Sequence, residues 1–287
     1  MALRDLLVCL DRRERSRLSL RLAADLARRN GSSITALYLR RWSSDQLEHR
    51  ATAELAGRPL AEMEALESAV EKSIDRSERQ LRSQLEQLAA RDDLRVEWRT
   101  LESDPGIALP QHARYADLCI LDADIPAESA STGYQFSQEM LFTAGRPVLL
   151  VPAAGDFSVL GAHVAVAWNS SRAAARALND ALPLLECSEK TTVIAINPGD
   201  FIGAHGALPL SNLLEHLRRH GVSAQLVELA EVPMGAIAEQ LQEQALAVGA
   251  DMVVAGAHGH IWLRDMILGS VTRDLLAHLR LPVMMSH

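Results

Sequence analysis

Aromatic residues are scarce in this chain, at 4% of 287 residues, although apolar residues as a whole make up 48%. The core must therefore be aliphatic, rich in Leu, Ala and Val, which favours sheets covered by helices over a β-sandwich. Lysine is scarcer still. Only Lys72 and Lys190 occur, neither beside a glycine-rich turn, and that excludes a P-loop. Cysteine is limited to Cys9, Cys119 and Cys187, odd in number and far apart, so these read as reduced core thiols in a cytosolic protein and not as a disulfide, redox or zinc set. No window approaches the ~18 apolar residues of a membrane span, and Met1-Ala2-Leu3-Arg4-Asp5 runs directly into a strand-like segment without the pattern of a secretory leader. A cytoplasmic location with no membrane association is expected. Positive charge is also in deficit: a net charge of -8 disfavours nucleic acid as a partner, because phosphate backbones reward clustered Lys and Arg.

What is present is alternation of strand and helix, in a length that suits two domains of about 100 to 200 residues each. An apolar run at 6–10 ends on Asp11, and a helical pattern (Leu18, Leu22, Leu26) stops at Asn30-Gly31. A strand at 34–39 follows, then a long charged helical stretch over 45–90, broken near Gly57-Arg58-Pro59, and a strand at 94–100. Asp104-Pro105-Gly106 opens a helix, and strands are expected at 117–121 and 146–151. The second half repeats this order with strands at 164–168, 192–196, 222–229, 249–254 and 281–285, and helices from 171–185, up to His220-Gly221, and from Pro233. Leu6 matches Val164 at an offset of 158 and Asp117 matches Asp251 at an offset of 134, so the first half carries 24 extra residues (158 less 134), placed in the helical stretch from Asp45. The fold class is therefore α/β: two tandem Rossmann-like domains, 1–153 and 160–287, each a mostly five-stranded parallel sheet with helices on both faces. The two halves end alike on Pro-Val strands at 147–151 and 282–285; pairing between these would make the chain an internal pseudo-dimer, and a homodimer of chains stays open.

After the strand 252–255 come Gly256-Ala257-His258-Gly259, nine residues (260–268), and Gly269-Ser270-Val271-Thr272 leading into a helix that ends near His278. Glycines at the carboxyl end of a parallel strand let backbone N–H groups approach an anion, and the following helix offers free N–H groups and a positive dipole end. Ser270 and Thr272 add hydroxyl donors. Two glycines three apart are a weak signal, but Gly-x2-Gly-x9-Gly-Ser between a strand and a helix resembles the nucleotide signature of the universal stress protein family, and the resemblance extends over essentially the whole chain.

That resemblance implies an ATP site, with AMP or ADP as alternatives. Gly256, Gly259, Gly269 and Ser270 match the phosphate-cradling positions, and His258 and Val271 match loop positions lining the nucleotide. Ile196 matches a backbone contact to adenine; Trp168 and Asn169 match the ribose side; Ala167, Ala255 and Thr272 complete the set. The family commonly has Asp where this half has Asn169, and the lost charge weighs against a bound Mg2+. The first half keeps its aspartate, Asp11, but has Asp122-Ala123-Asp124-Ile125-Pro126 in place of the glycines, whose carboxylates would repel a triphosphate. One nucleotide per chain is expected, with the first domain a structural partner.

No metal set is expected: His216 and His220 lie four apart on a helix with no third ligand, and His258 and His260 flank a loop glycine. Gly199, Gly203 and Gly206 lack Rossmann spacing. The charges from Glu62 to Arg91 read as salt-paired helix faces. No catalytic residues can be assigned, because Arg264 is the only obvious cation near the loop and Asp265 stands beside it. The first reading is an ATP-binding regulator of stress responses acting on an unknown protein partner; the alternatives are a slow ATP hydrolase or phosphotransferase, and a nucleotide-free interaction module.

Overall fold

The computed structural model describes residues 3–40, 60–103, 105–123, 140–155, 157–199, 209–257, 259–262 and 265–287. The first half runs β1 (Asp5–Leu10), α1 (Ser16–Asn30), β2 (Ser33–Leu39), α2 (Leu60–Asp92), β3 (Val96–Leu101), α3 (Pro105–Ala113), β4 (Leu118–Asp122) and β5 (Val148–Val151). The second runs β6 (His163–Trp168), α4 (Arg172–Glu186), β7 (Lys190–Ile196), α5 (Leu210–Arg219), β8 (Ala224–Leu229), α6 (Ile237–Ala247), β9 (Met252–Gly256), β10 (Gly259–Trp262), β11 (Asp265–Leu268), α7 (Ser270–Ala277) and β12 (Val283–Ser286).

Ten of these strands form one sheet in the order β3-β2-β1-β4-β5-β12-β9-β6-β7-β8. Continuous apolar runs such as Leu6-Leu7-Val8-Cys9-Leu10 suit strands covered on both faces. Leu6, Val8 and Leu10 point into one hydrophobic cluster with α1 and α4, while Leu7 and Cys9 point into another with α3 and α6. The glycine expected to end α1 does so: Gly31 sits at φ 68° and its N–H bonds the Ala27 carbonyl. Ser171, the N-cap of α4, accepts from Ala174 N at 3.1 Å. Cys9 and Cys119 are buried as expected, but Cys187 is exposed, because it caps the carboxyl end of α4 instead of facing the sheet.

The internal repeat is a repeat of register. Leu6 pairs with Leu118 where Val164 pairs with Met252, which reproduces the sequence offsets of 158 (164 less 6) and 134 (252 less 118). Asp117 accepts from Arg4 N and Asp5 N, and its equivalent Asp251 accepts from Gly161 N, Ala162 N and His163 N. An Asp before the fourth strand thus fastens the start of the first in both halves. The extra length of the first half includes α2, whose acidic face is drawn to the end of β2 by Arg40, bonded to Glu71, Asp75 and Glu78 at 2.5, 2.5 and 2.9 Å.

All neighbours in the ten-stranded sheet are parallel except one pair. β12 and β5 run antiparallel, with Val283, Met284 and Met285 opposite Leu150, Leu149 and Val148. Cys119 pairs with Val148 and its equivalent Val253 pairs with Val283, so Leu149 and Met284 are equivalent residues facing each other. A pseudo-twofold axis passes between them, the arrangement of an isologous interface. Both side chains are fully buried. Met284→Ala should therefore lower stability by about 2–5 kcal/mol, read as a lower urea midpoint of the full chain with an unchanged slope; an unchanged midpoint would mean the seam contributes little.

Candidate nucleotide site

In each half the strand order reverses beside the first strand: chain segments after β6 move outward to β7 and β8, and then return to its other side as β9. The crevice at the carboxyl ends of such strands is where open α/β sheets receive ligands. Ala167 and Trp168 end β6, Ile196 ends β7, and Ala255 and Gly256 end β9, so three adjacent strands bring these residues to one edge. Asn169 Oδ1 accepts from Ser171 N at 3.1 Å, and Ser170 takes a left-handed φ of 56°, which turns the chain sharply into α4. Asp11 likewise accepts from Arg13 N at 2.7 Å in the first half, so the Asn-for-Asp exchange keeps this side-chain bond to the backbone while removing the charge.

Gly256 has a tighter reason to be glycine than freedom to approach an anion. A Cβ there would overlap the carbonyl carbon of Ala173 and lie 2.5 Å from Ala174 N and 2.8 Å from Ala173 O. The first turn of α4 lies directly on the end of β9, which holds the amino end of that helix against the crevice.

The nine-residue interval that follows is a hairpin and not the irregular loop the sequence suggested. β10 and β11 pair antiparallel, with Gly259 opposite Leu268 and Trp262 opposite Asp265. Its physical effect is to bring Gly259 beside the chain entering Gly269, so the two glycine segments meet although nine residues separate them. Leu263-Arg264 between the strands carries none of the Asn-Gly or Gly-x chemistry that marks hairpin turns, which is why the spacing alone did not disclose it. Gly269 caps α7, Ser270 begins it and is exposed, Val271 is half-buried against the core, and Thr272 is buried in the sheet-facing side at 4% exposure. Two helix amino ends, those of α4 and α7, thus flank the glycine segments. His258 and Arg264 lie outside the described residues.

Asn197 was not anticipated. It follows β7 at φ 50°, donates from Nδ2 to the Val232 carbonyl at 2.7 Å and accepts from Val232 N at 2.9 Å. This amide clamp ties the end of β7, next to Ile196, to the segment after β8. The available signal was an Asn directly after a strand, a residue type tolerant of left-handed backbone. His216 and His220 pack their rings edge to face at 4.7 Å, and no group of three metal-ligating side chains occurs among the described residues.

Position 256 corresponds to Asp122 in the first half (122 plus 134). Its carboxylate accepts from Ser19 Oγ and lies 3.3 Å from Ser16 Oγ, which is also 3.2 Å from Asp11 Oδ1. Ser16 and Ser19 correspond to Ala174 and Ala177 (each plus 158), so hydrogen bonds replace the backbone contact made at Gly256. Burial pushes the Asp122 carboxyl up to about 6; the Ser19 hydrogen bond opposes the rise and the neighbouring Asp11 adds to it.

A five-strand order of 3-2-1-4-5 with a glycine segment at the reversal point defines the class as Rossmann-like α/β. Residues 162–287 match the sequence profile of the universal stress protein family. A universal stress protein from Archaeoglobus fulgidus is similar over 98% of this chain and 97% of its own, at 15% identity and a TM-score of 0.69. A putative universal stress protein from Pseudomonas aeruginosa is similar over 99% of this chain and 93% of its own, at 15% identity and a TM-score of 0.58. A functionally unknown protein from the same species gives 99% and 92% coverage, 15% identity and a TM-score of 0.59. At these identities the likeness is one of fold. No curated protein matches the sequence. No helix among the described residues is long and apolar enough to cross a membrane.

Two outcomes are expected. Gly256→Ala should destabilise by about 1–3 kcal/mol, seen as a lower melting temperature, because the obstacle is helix backbone and not a movable side chain. Asp122 has a folded-state pKa above its unfolded value, so the stability it permits is present below about pH 4 and falls as pH rises through about 6. Asp122→Asn should therefore gain up to about 3 kcal/mol relative to the native chain at pH 8 and nothing at pH 4, compared by urea denaturation; equal gains at both pH values would contradict the buried-carboxyl account.

Proposed function

We propose that the second half binds one adenine nucleotide, ATP or its mono- or diphosphate, and that the chain is a nucleotide-responsive regulator in stress physiology and not an efficient enzyme. The observation that carries this reading is the convergence of Gly256, Gly259 and Gly269-Ser270 between two helix amino ends at the reversal point of a parallel sheet. The profile match over 162–287 and the family resemblance of the glycine spacing support it. On this reading Ile196 and the Asn197 clamp border the adenine, Trp168 and Asn169 the ribose, and the glycine segments with Ser270 the phosphates, with Ala167, Ala255, His258, Val271 and Thr272 around them.

Residues 1–153 then form the degenerate copy and 160–287 the binding copy. Asp122 supports this division, since a carboxylate at the position of Gly256 sets negative charge where phosphates would approach. On this reading Mg2+ has little to hold it, because Asn169 supplies no charge where the family commonly has Asp. Nucleotide occupancy would alter the cytoplasmic surface around 256–270 that a protein partner reads.

Mass spectrometry of the small molecules released on denaturing the purified chain, together with ATP titration followed by thermal shift, tests the proposal. ATP at about 100 times its Kd should stabilise by about 2.7 kcal/mol, and Gly259→Arg should abolish the shift. Phosphate release at a steady rate would move the reading to the hydrolase. Absence of any shift in the native chain would remove it.

A further inference from the structure

We propose a second binding site, in the first half, for a compact polyanion of phosphate chemistry such as a pyrophosphate or phosphorylated small metabolite. A pocket of about 170 Å³ opens between the turn after β1 and the middle of α2, lined by Arg12, Arg13, Arg17 and Arg76 with Ser73, Ser77 and Gln80 among its polar groups. That volume equals about five or six water molecules, which suits one or two phosphate groups and not an extended chain.

The charge balance is unusual for this protein. Against an overall charge of -8, the lining has four guanidinium groups and one carboxylate, that of Glu14. Arg13 is held by Asp11 at 2.7 Å. Arg17 is held instead by a neutral amide, its Nη2 donating to Gln80 Oε1 at 2.8 Å, and no ion pair joins Arg17 or Arg76 to a carboxylate among the described residues. Arg17 and Arg76 bring two positive charges to one concavity, and a multivalent anion relieves their repulsion while accepting planar, forked hydrogen bonds that arginine supplies. The hydroxyls of Ser73 and Ser77 add neutral donors on the same wall.

The two walls come from different parts of the plan. Arg12 and Arg13 belong to the turn into α1 and Arg17 to the first turn of that helix, where the second half has Ser170, Ser171 and Ala175 (each plus 158). Arg76, Ser73 and Ser77 belong to α2, a helix of 33 residues whose place in the second half is taken by α5 with 10. The site therefore exists only in the half whose nucleotide cradle carries Asp122. The carboxylates of Glu71, Asp75 and Glu78 stand among the pocket residues along the same helix but are bound by Arg40, which confines the positive region and disfavours nucleic acid or an acidic protein surface.

Isothermal titration of the full chain with pyrophosphate, in magnesium-free buffer at fixed ionic strength, tests this site separately from the nucleotide site. Saturable binding is expected, unchanged in Gly259→Arg, weakened about tenfold in Arg76→Ala and lost in Arg17→Ala/Arg76→Ala. Arg79→Ala, on α2 but outside the pocket, should bind as the native chain does, and circular dichroism should show the variants folded. Citrate should bind markedly more weakly than pyrophosphate. Absence of binding to the native chain, loss of binding in Gly259→Arg, retention in the double variant, or equal affinity for citrate would each overturn the proposal.

Discussion

The residue that ends the fourth strand governs how near the first helix of each half can come, and much of what distinguishes the two halves follows from it. Gly256 lets the backbone of Ala173 and Ala174 rest against β9. Asp122 cannot, so α1 faces β4 through Ser16 and Ser19 and the space between becomes a buried polar network. One contact is dry and close, the other hydrogen-bonded and titratable. A buried polar group survives only with partners, which is why the change at this one position travels with serines at two helix positions that are alanines in the other copy.

The seam between β5 and β12 explains how such unlike copies remain one body. An isologous pairing centred on Leu149 and Met284 needs only that the last strand of each half present the same apolar edge, and it makes no demand on the carboxyl-end crevices. Joining the edges also removes two exposed strand ends, each a template for unwanted pairing. With two strand edges paired at the seam, the far features are free to diverge: the long α2 on one side, the hairpin of β10 and β11 on the other.

Much of the framework was legible because it rests on local patterns. Apolar runs at 6–10, 117–121 and 252–255 are buried strands, Gly31 stops α1, and the offsets of 158 and 134 reappear as pairing register. The recurring Asp before the fourth strand was visible as a pattern, but its bonds to amides at the start of the first strand could not be, since they span more than a hundred residues at Asp117. The same limit hid the Asn197 clamp and the arginine pocket, whose walls are separated by roughly sixty residues of chain. The hairpin was missed for a different reason: its turn carries no glycine, asparagine or aspartate. Charges from Glu62 to Arg91 read as salt-paired faces, and Arg82 with Glu86 is one such pair, yet the same helix also places the exposed Arg76 on the pocket wall. A helical charge pattern records which residues share a face, not what that face meets.

The site at 256–270 is also easier to read than to weigh. Glycine at 256 has been explained by helix packing, and packing alone would conserve it whether or not a phosphate were ever bound. The helix contact at Gly256 does not account for the hairpin, whose register sets Gly259 opposite Leu268, beside the start of α7. On the proposed reading the hairpin brings a second glycine segment against two helix amino ends, where converging backbone N–H groups and helix dipoles would face an anion.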